Sequence, residues 1–174
     1  MRFSPLTLFL LCVTRLSAQD IEAEYDKNRD YSIYKTFSLG ESEVITPQDQ
    51  RQIDAESLTK WVKEAIAEEL KEKGLTQVDS AADLVASFVI GTQAKSESSP
   101  LGAFGLTPGS NDQTWSRDYR MASVIIDLND KRNSLIWRIN ATATVISTDY
   151  QKQIEQIVGA GFKKFSLKPK KKKK

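Results

Sequence analysis

The sequence predicts an α+β fold, a two-layer sandwich in which an antiparallel sheet of about four to five strands carries two helices on one face. Residues 119–146 hold two alternating apolar runs around a polar turn, while 50–73 and 150–165 repeat apolar residues every three or four positions. The first pattern is typical of strands with one buried face, and the second of amphipathic helices. Because a hairpin with one apolar face is unstable alone, the helices are predicted to cover it.

A β-hairpin is the predicted centre of the sheet. Its apolar positions alternate on both strands, at Ala122, Val124, Ile126 and Leu128 and at Leu135, Trp137, Ile139, Ala141, Ala143 and Val145. The predicted tip is closed by a pair between Asn129 and Ser134, and Asn133 suits a left-handed backbone conformation there. In that register Ile126 lies opposite Trp137.

Three further segments are predicted to extend the sheet or to pack against it. Residues 21–25 alternate apolar and charged side chains, residues 31–39 are rich in aromatic and β-branched types, and residues 83–94 place apolar side chains on one side. These compositions favour extended structure. Residues 40–46 are predicted to form a loop.

The first helix is predicted over residues 50–73. Thr46 can cap free amide groups, Pro47 is tolerated in a first helical turn, and Gly74 is a typical stop signal. The stripe expected to cover the hairpin consists of Leu58, Trp61, Val62, Ala65, Ile66 and Leu70.

The second helix is predicted over residues 150–165, after a capping residue within 147–149. Gly159 and Gly161 weaken this helix but permit close packing against a neighbour. Its expected buried residues are Ile154, Ile157, Val158 and Phe162, with Phe165 at the end. Residues 167–174 are predicted to be a disordered lysine-rich tail because they offer almost no apolar surface to bury.

Residues 97–116 lack any apolar periodicity and are rich in glycine, serine and proline, so they are predicted to form a mobile loop. The loop carries large apolar side chains that are costly to leave in water. Two interpretations stay open. These side chains pack against the edge of the domain, or they form a partner-binding lip from Phe104, Leu106 and Trp115.

The N-terminal 18 residues are predicted to be a secretory signal peptide, with a basic start, a short apolar run and small residues before a cut after Ala18. The rest divides into one domain, 19–166, and the tail. Export is the expected fate of the mature chain. Cys12 offers an alternative, a lipid attachment site that would anchor the chain to a membrane, although Leu11 is larger than the small residue usual before such a cysteine.

The residue types present argue against several kinds of catalysis. The sequence contains no histidine, and Cys12 is its one cysteine, so a serine–histidine–aspartate triad and disulfides are excluded within it. No metal, cofactor or catalytic residues are predicted. The alternative is a hydrolase that uses carboxylates alone. Glu22, Glu24 and Asp26 are predicted to share a strand face, but such a row is usually a solvated surface.

The charge is unevenly distributed along the chain. Residues 19–162 hold 15 basic and 23 acidic side chains, a formal charge of −8, and eight basic residues follow in 163–174. The terminal lysines are a candidate tether to an anionic polymer, and they are Lys170, Lys171, Lys172, Lys173 and Lys174. No aromatic residue alternates with these charges, and with export this argues against nucleic acid as the partner.

Seven short segments of the sequence occur in an order and at a spacing similar to those of a known protein family. They are Tyr25-Asp-Lys-Asn, Tyr34-Lys-Thr-Phe, Glu69-Leu-Lys-Glu-Lys-Gly-Leu, Ala82-Asp-Leu-Val, Val124-Ile-Ile-Asp-Leu, Leu135-Ile-Trp-Arg and the lysine-rich end. Together they resemble the bacterial envelope proteins built on the domain of unknown function 4136, many of which look like lipoproteins. The resemblance implies an exported α+β domain in the periplasm or outer envelope of a bacterium, and it supplies no activity.

The function predicted from these observations is that of an exported, non-catalytic envelope domain that binds a protein or polymer partner. The alternatives are the carboxylate-only hydrolase and a purely structural lipoprotein domain anchored through Cys12. An enzyme requires two or more acids that converge in a concave site. A binding domain instead requires an exposed surface near Phe104 and Trp115.

Overall fold

The structure is a computed structural model that describes residues 19–100, 114–145 and 149–167. Within these ranges six strands form one sheet in the order β1-β6-β5-β4-β2-β3, and two α-helices cover one face of it. The elements in chain order are β1 (Gln19–Tyr25), β2 (Thr36–Val44), a 3₁₀ turn (Gln48–Gln50), α1 (Ala55–Glu72), β3 (Thr76–Gln77), β4 (Leu84–Pro100), β5 (Thr114–Asp130), β6 (Leu135–Thr144) and α2 (Tyr150–Phe162).

The predicted α+β class is confirmed, but the sheet has more strands than expected and is mixed. β2 pairs in parallel with both β3 and β4, whereas the other neighbours are antiparallel. The reason is the connection between β2 and β4, because it passes through α1, which returns the chain to the end where β2 began. The predicted loop over 40–46 is wrong, since β2 continues to Val44 along the edge of β4.

The central hairpin forms as predicted, with Asn133 in the left-handed region at φ 58°. The predicted register is wrong by two residues, since Ile126 pairs with Ile139 and not with Trp137. Asp130, not Asn129, pairs with Ser134 at the tip, where the Asp130 amide donates to the Ser134 carbonyl. A shift of two residues keeps every central side chain on its predicted face.

A β-bulge near the hairpin tip accounts for one of the two residues by which the observed register differs from the predicted one. Leu128 pairs with Trp137 and Asn129 pairs with Leu135, so Ile136 is an extra residue in β6. Ile136 and Trp137 are therefore both buried, while Leu135 is 44% exposed instead of facing the core as predicted.

Helix α1 begins at Ala55, five residues later than predicted. The Asp54 carboxylate accepts a hydrogen bond from the Ser57 amide and so caps the helix. Thr46 is not a helix cap, because its side chain is buried and its hydroxyl accepts the Thr92 amide at 2.7 Å. Residues between Thr46 and Asp54 form a connection with one 3₁₀ turn.

Both helices start at the same end of the sheet and run in the same direction. β2 and β6 stop at this end and α1 and α2 begin there, and we call it the upper end. The Tyr150 hydroxyl of α2 and the Gln52 side chain ahead of α1 form a 2.8 Å hydrogen bond there. The β5–β6 tip marks the lower end, where Trp137 is buried against Tyr25 and Phe165.

Candidate functional site

A two-stranded ribbon projects from the upper end of the sheet. β2 pairs with β4 no further than Ile90, and β6 pairs with β5 no further than Met121. β4 and β5 nevertheless continue to pair with each other as far as Pro100 and Thr114. We define the ribbon as residues 93–100 with residues 114–120.

The ribbon replaces part of the loop that was predicted over 97–116. Residues 97–100 and 114–116 are strand, so the predicted loop is wrong at both ends, and 101–113 lie outside the described residues. These residues show no apolar alternation in the sequence, so periodicity could not identify them as strand. Residues 93–96 are all exposed, as is Asp118.

The long edges of the ribbon carry no neighbouring strand in the described part of the chain. The Thr92 amide points towards β2, because it donates to Thr46 Oγ1. Since backbone direction alternates along a strand, the amides of Ala94 and Ser96 point to the same side. Across the ribbon, Ser96 Oγ donates to Asp118 Oδ1 at 2.6 Å.

One of the three predicted partner-binding residues lies within the described part of the chain. Trp115 lies in β5, within the ribbon. Phe104 and Leu106 lie outside the described residues, and so do Cys12 and the lysines Lys170, Lys171, Lys172, Lys173 and Lys174. The proposed lip of three apolar side chains therefore stays a prediction.

A small apolar cleft lies at the base of the ribbon, between the sheet and the beginnings of both helices. Its volume is about 50 Å³. Aliphatic side chains from the sheet and from both helices line it, including Ile90, Ala122, Val124, Leu58 and Ile154. Sequence reasoning missed this cleft, because its walls come from segments far apart in the chain.

Two arginines are the charged residues of the cleft, and none of the lining residues is acidic. Arg51 donates from Nε to the Thr46 carbonyl at 2.7 Å and from Nη2 to the Val44 carbonyl at 3.2 Å. Arg120 donates from Nη1 to the Gln50 carbonyl at 2.8 Å. Backbone carbonyls do not neutralise a guanidinium, so both positive charges remain available to an anion.

The acids of the predicted strand face do not converge. Glu22 and Glu24 are exposed on β1, and Glu24 accepts a hydrogen bond from Asn140 Nδ2. Asp26 accepts the Asn28 amide in the following turn. In the ranges that the structure describes, no group of three or more acidic or cysteine side chains is placed to hold a metal ion.

Glu69 of α1 has a raised pKa, because burial disfavours its charged form. Lys73 partly opposes this shift from 3.9 Å, while Glu72 and Glu68 on the same helix add to it. These three acids lie on one helix and do not face one another across a concave site. The arrangement therefore lacks the paired acids that a carboxylate hydrolase needs.

Comparison with known families and proteins gives a family and a fold. A family model described as "Domain of unknown function (DUF4136)" matches residues 21–165. No curated protein matches the chain. Neither α1 nor α2, the α-helices of the described ranges, combines the length and hydrophobicity that a membrane-crossing helix requires.

Solved bacterial structures are similar to this chain at low sequence identity. A DUF4136 family protein from Bacteroides thetaiotaomicron is 14% identical with a TM-score of 0.51, over 86% of this chain and 98% of that one. The PelC dodecamer from Paraburkholderia phytofirmans is 9% identical with a TM-score of 0.49, over 83% and 94% of the two chains. A minor lipoprotein from Acinetobacter baumannii is 13% identical with a TM-score of 0.33, over 74% and 89%.

Proposed function

This chain belongs to the DUF4136 family, and we propose that it is an exported bacterial envelope domain that binds a protein or polymer partner and catalyses no reaction. The ribbon is the proposed contact surface. The observation that carries this proposal is the continuation of β4 and β5 past their sheet neighbours, with no strand paired along the outer edge of β4 beyond Ile90 in the described residues.

An unpaired strand edge presents a row of amide and carbonyl groups to any extended chain. A two-stranded ribbon is also only marginally stable by itself. Binding of a further strand satisfies the edge groups and supports the ribbon at the same time, which is the usual mode of strand addition. We therefore place the partner on the edge of β4 that carries the amides of Ala94 and Ser96.

The composition of the ribbon supports a polar partner surface. Residues 93–96 read Gln-Ala-Lys-Ser, and residues 117–120 read Arg-Asp-Tyr-Arg. Main-chain hydrogen bonds therefore supply most of the affinity, and charged side chains set the register and the specificity. The predicted apolar lip of Phe104, Leu106 and Trp115 would extend this surface beyond the end of the ribbon.

The proposal is tested by crosslinking in intact cells, with a photoreactive residue in place of exposed Lys95. Ser96→Pro removes an outward amide and leaves the β4–β5 ladder in place, so the crosslinked adduct should be lost. Ser96→Ala keeps the amide and is the matched control, which should retain the adduct. An adduct of equal yield in the proline variant would rule out strand addition at this edge.

Two deletions separate the ribbon from the lysine tail as contact surfaces. Removal of residues 98–114 shortens the ribbon and removes most of the predicted lip, so it should weaken the adduct, and removal of 168–174 should weaken it only if the lysines tether the chain to an anionic polymer. Unchanged adducts in both deletions would contradict the proposed function. Labelling of cells with a radioactive fatty acid distinguishes a lipid anchor at Cys12 from a signal peptide cut after Ala18, since Cys12→Ser abolishes the label in the first case alone.

A further inference from the structure

We propose that the apolar cleft at the base of the ribbon binds a short aliphatic carboxylate, with the hydrocarbon chain among the aliphatic side chains and the carboxylate against Arg120 and Arg51. The proposed site is separate from the ribbon edge that binds the partner. It rests on the shape, lining and charge of the cleft.

The apolar part of the site accepts a hydrocarbon chain of limited length. Leu58 and Ile154 contribute from the helices, and Ala122 and Val124 contribute from the centre of the sheet. A volume of about 50 Å³ is enough for about three to five water-sized groups. A hydrocarbon tail of about three to five carbon atoms therefore fills the cleft, and the end of a longer tail lies outside it.

The charged part of the site selects an anion. Arg120 uses one N–H in its hydrogen bond to the Gln50 carbonyl, and Arg51 uses two in its bonds to the Thr46 and Val44 carbonyls. A guanidinium has five N–H groups, so each arginine keeps donors for a ligand. Because the cleft has no acidic lining residue, a carboxylate meets attraction from two cations without competition.

The backbone adds to the positive potential at the same place. α1 and α2 both begin at the upper end, so the positive ends of two helix dipoles face the region of the two arginines. Gln52, Gln153 and Tyr150 supply a polar rim around the apolar walls. Apolar walls with a few convergent polar groups are the usual composition of a small-molecule site.

Calorimetric titration of the full chain tests the proposal with three unbranched probes that each contain six carbon atoms. Hexanoate should bind, hexan-1-ol should bind more weakly, and hexylammonium should not bind measurably. Arg120→Gln should weaken hexanoate binding about tenfold or more, in line with the strength of charge-assisted hydrogen bonds. The same substitution should leave hexan-1-ol binding unchanged, whereas a merely structural role for Arg120 would reduce both.

Two further variants complete the test. Ala122→Leu fills the cleft and should abolish hexanoate binding, with circular dichroism to verify folding, and Ala122→Val serves if the leucine variant does not fold. Arg132→Gln is the matched control for charge, because Arg132 is exposed at the lower end of the sheet, and it should bind hexanoate like the original chain. Absence of hexanoate binding, equal binding of all three probes, or undiminished binding in Ala122→Leu would each overturn the proposal.

Discussion

Gly161 of α2 packs directly against Ile139 of β6, so closely that a Cβ atom at position 161 would lie 2.6 Å from Ile139 Cγ2. Both residues are buried. The absence of a side chain therefore lets the backbone of α2 approach the sheet. The close packing suggested by the two glycines in the sequence is found at this contact.

Gly161→Ala should destabilise the fold by about 1–3 kcal/mol, because neither the helix backbone nor the buried Ile139 side chain can move freely. Gly159→Ala is the matched control. A Cβ atom there meets the end of the Glu69 side chain at 2.8 Å, and that flexible group can turn away. Urea unfolding should show a clear decrease in the free energy of unfolding for Gly161→Ala. For Gly159→Ala this free energy should change little or increase, because alanine has a higher helix propensity than glycine. Equal losses would contradict the packing described here.

Trp137→Ala should cost about 3–5 kcal/mol, since the indole is 1% exposed and stacks on Tyr25 at a ring separation of 4.1 Å. Leu135→Ala should change the free energy of unfolding by less than about 0.5 kcal/mol, because the bulge at Ile136 turns Leu135 outwards. Thermal and urea unfolding of both variants measure the difference. A large loss in the leucine variant would indicate that β6 has no bulge at Ile136.

Ala81→Gly should stabilise the protein by about 0.5–1 kcal/mol. Ala81 has φ 54°, a conformation that costs a residue with a Cβ atom about 1–2 kcal/mol and glycine almost nothing. Part of the gain is offset by the greater freedom of glycine in the unfolded chain. Ala82→Gly is the control and should destabilise, because Ala82 is buried and its φ is not positive. A lower melting temperature for Ala81→Gly would contradict this expectation.

Asp83 should make stability depend on pH in the acid range. Hydrogen bonds from Lys131 Nζ and from the Lys35 and Thr36 amides hold its pKa well below the usual value. A carboxyl group with a lowered pKa in the folded state contributes its full stabilisation above its unfolded pKa of about 4, and loses it as the pH falls towards the folded pKa.

Asp83→Asn should therefore lower stability at pH 7, and its difference from the original chain should shrink as the pH falls below about 4. Urea unfolding between neutral and strongly acid pH measures this difference. Asp49→Asn is the control, because Asp49 is exposed in the 3₁₀ turn, and it should change the free energy of unfolding at pH 7 by less than about 0.5 kcal/mol. A difference that stays constant down to the lowest pH would show that the charge of Asp83 does not stabilise the fold.

Much of the local structure could be predicted from the sequence. The stripe of α1 and the alternation of β4, β5 and β6 fall on the buried faces where periodicity placed them, apart from the end of β6 at Leu135. The buried residues of α2 match as well. Apolar spacing works for these elements because each has one face in the core and one in water.

Other features depended on contacts that have no local signature. The parallel pairing of β2 with β4 follows from the path of α1, and the hairpin register follows from where a bulge fits against β5. β3 is only two residues long, too short to show a period. Apolar alternation is the signal that predicts a strand, and residues 97–100 and 114–116 lack it, so a loop was predicted there instead of the ribbon.

The sequence by itself determined the fold class, the core faces and the absence of histidine chemistry, because residue type and spacing express them directly. The tertiary structure decided where function can reside. The ribbon exists because β4 and β5 extend beyond the ends of the strands that flank them. The cleft exists because two helices and the sheet come together beside Arg51 and Arg120. Segments that are far apart in the sequence form both surfaces, so the spacing of residues within one segment cannot predict them.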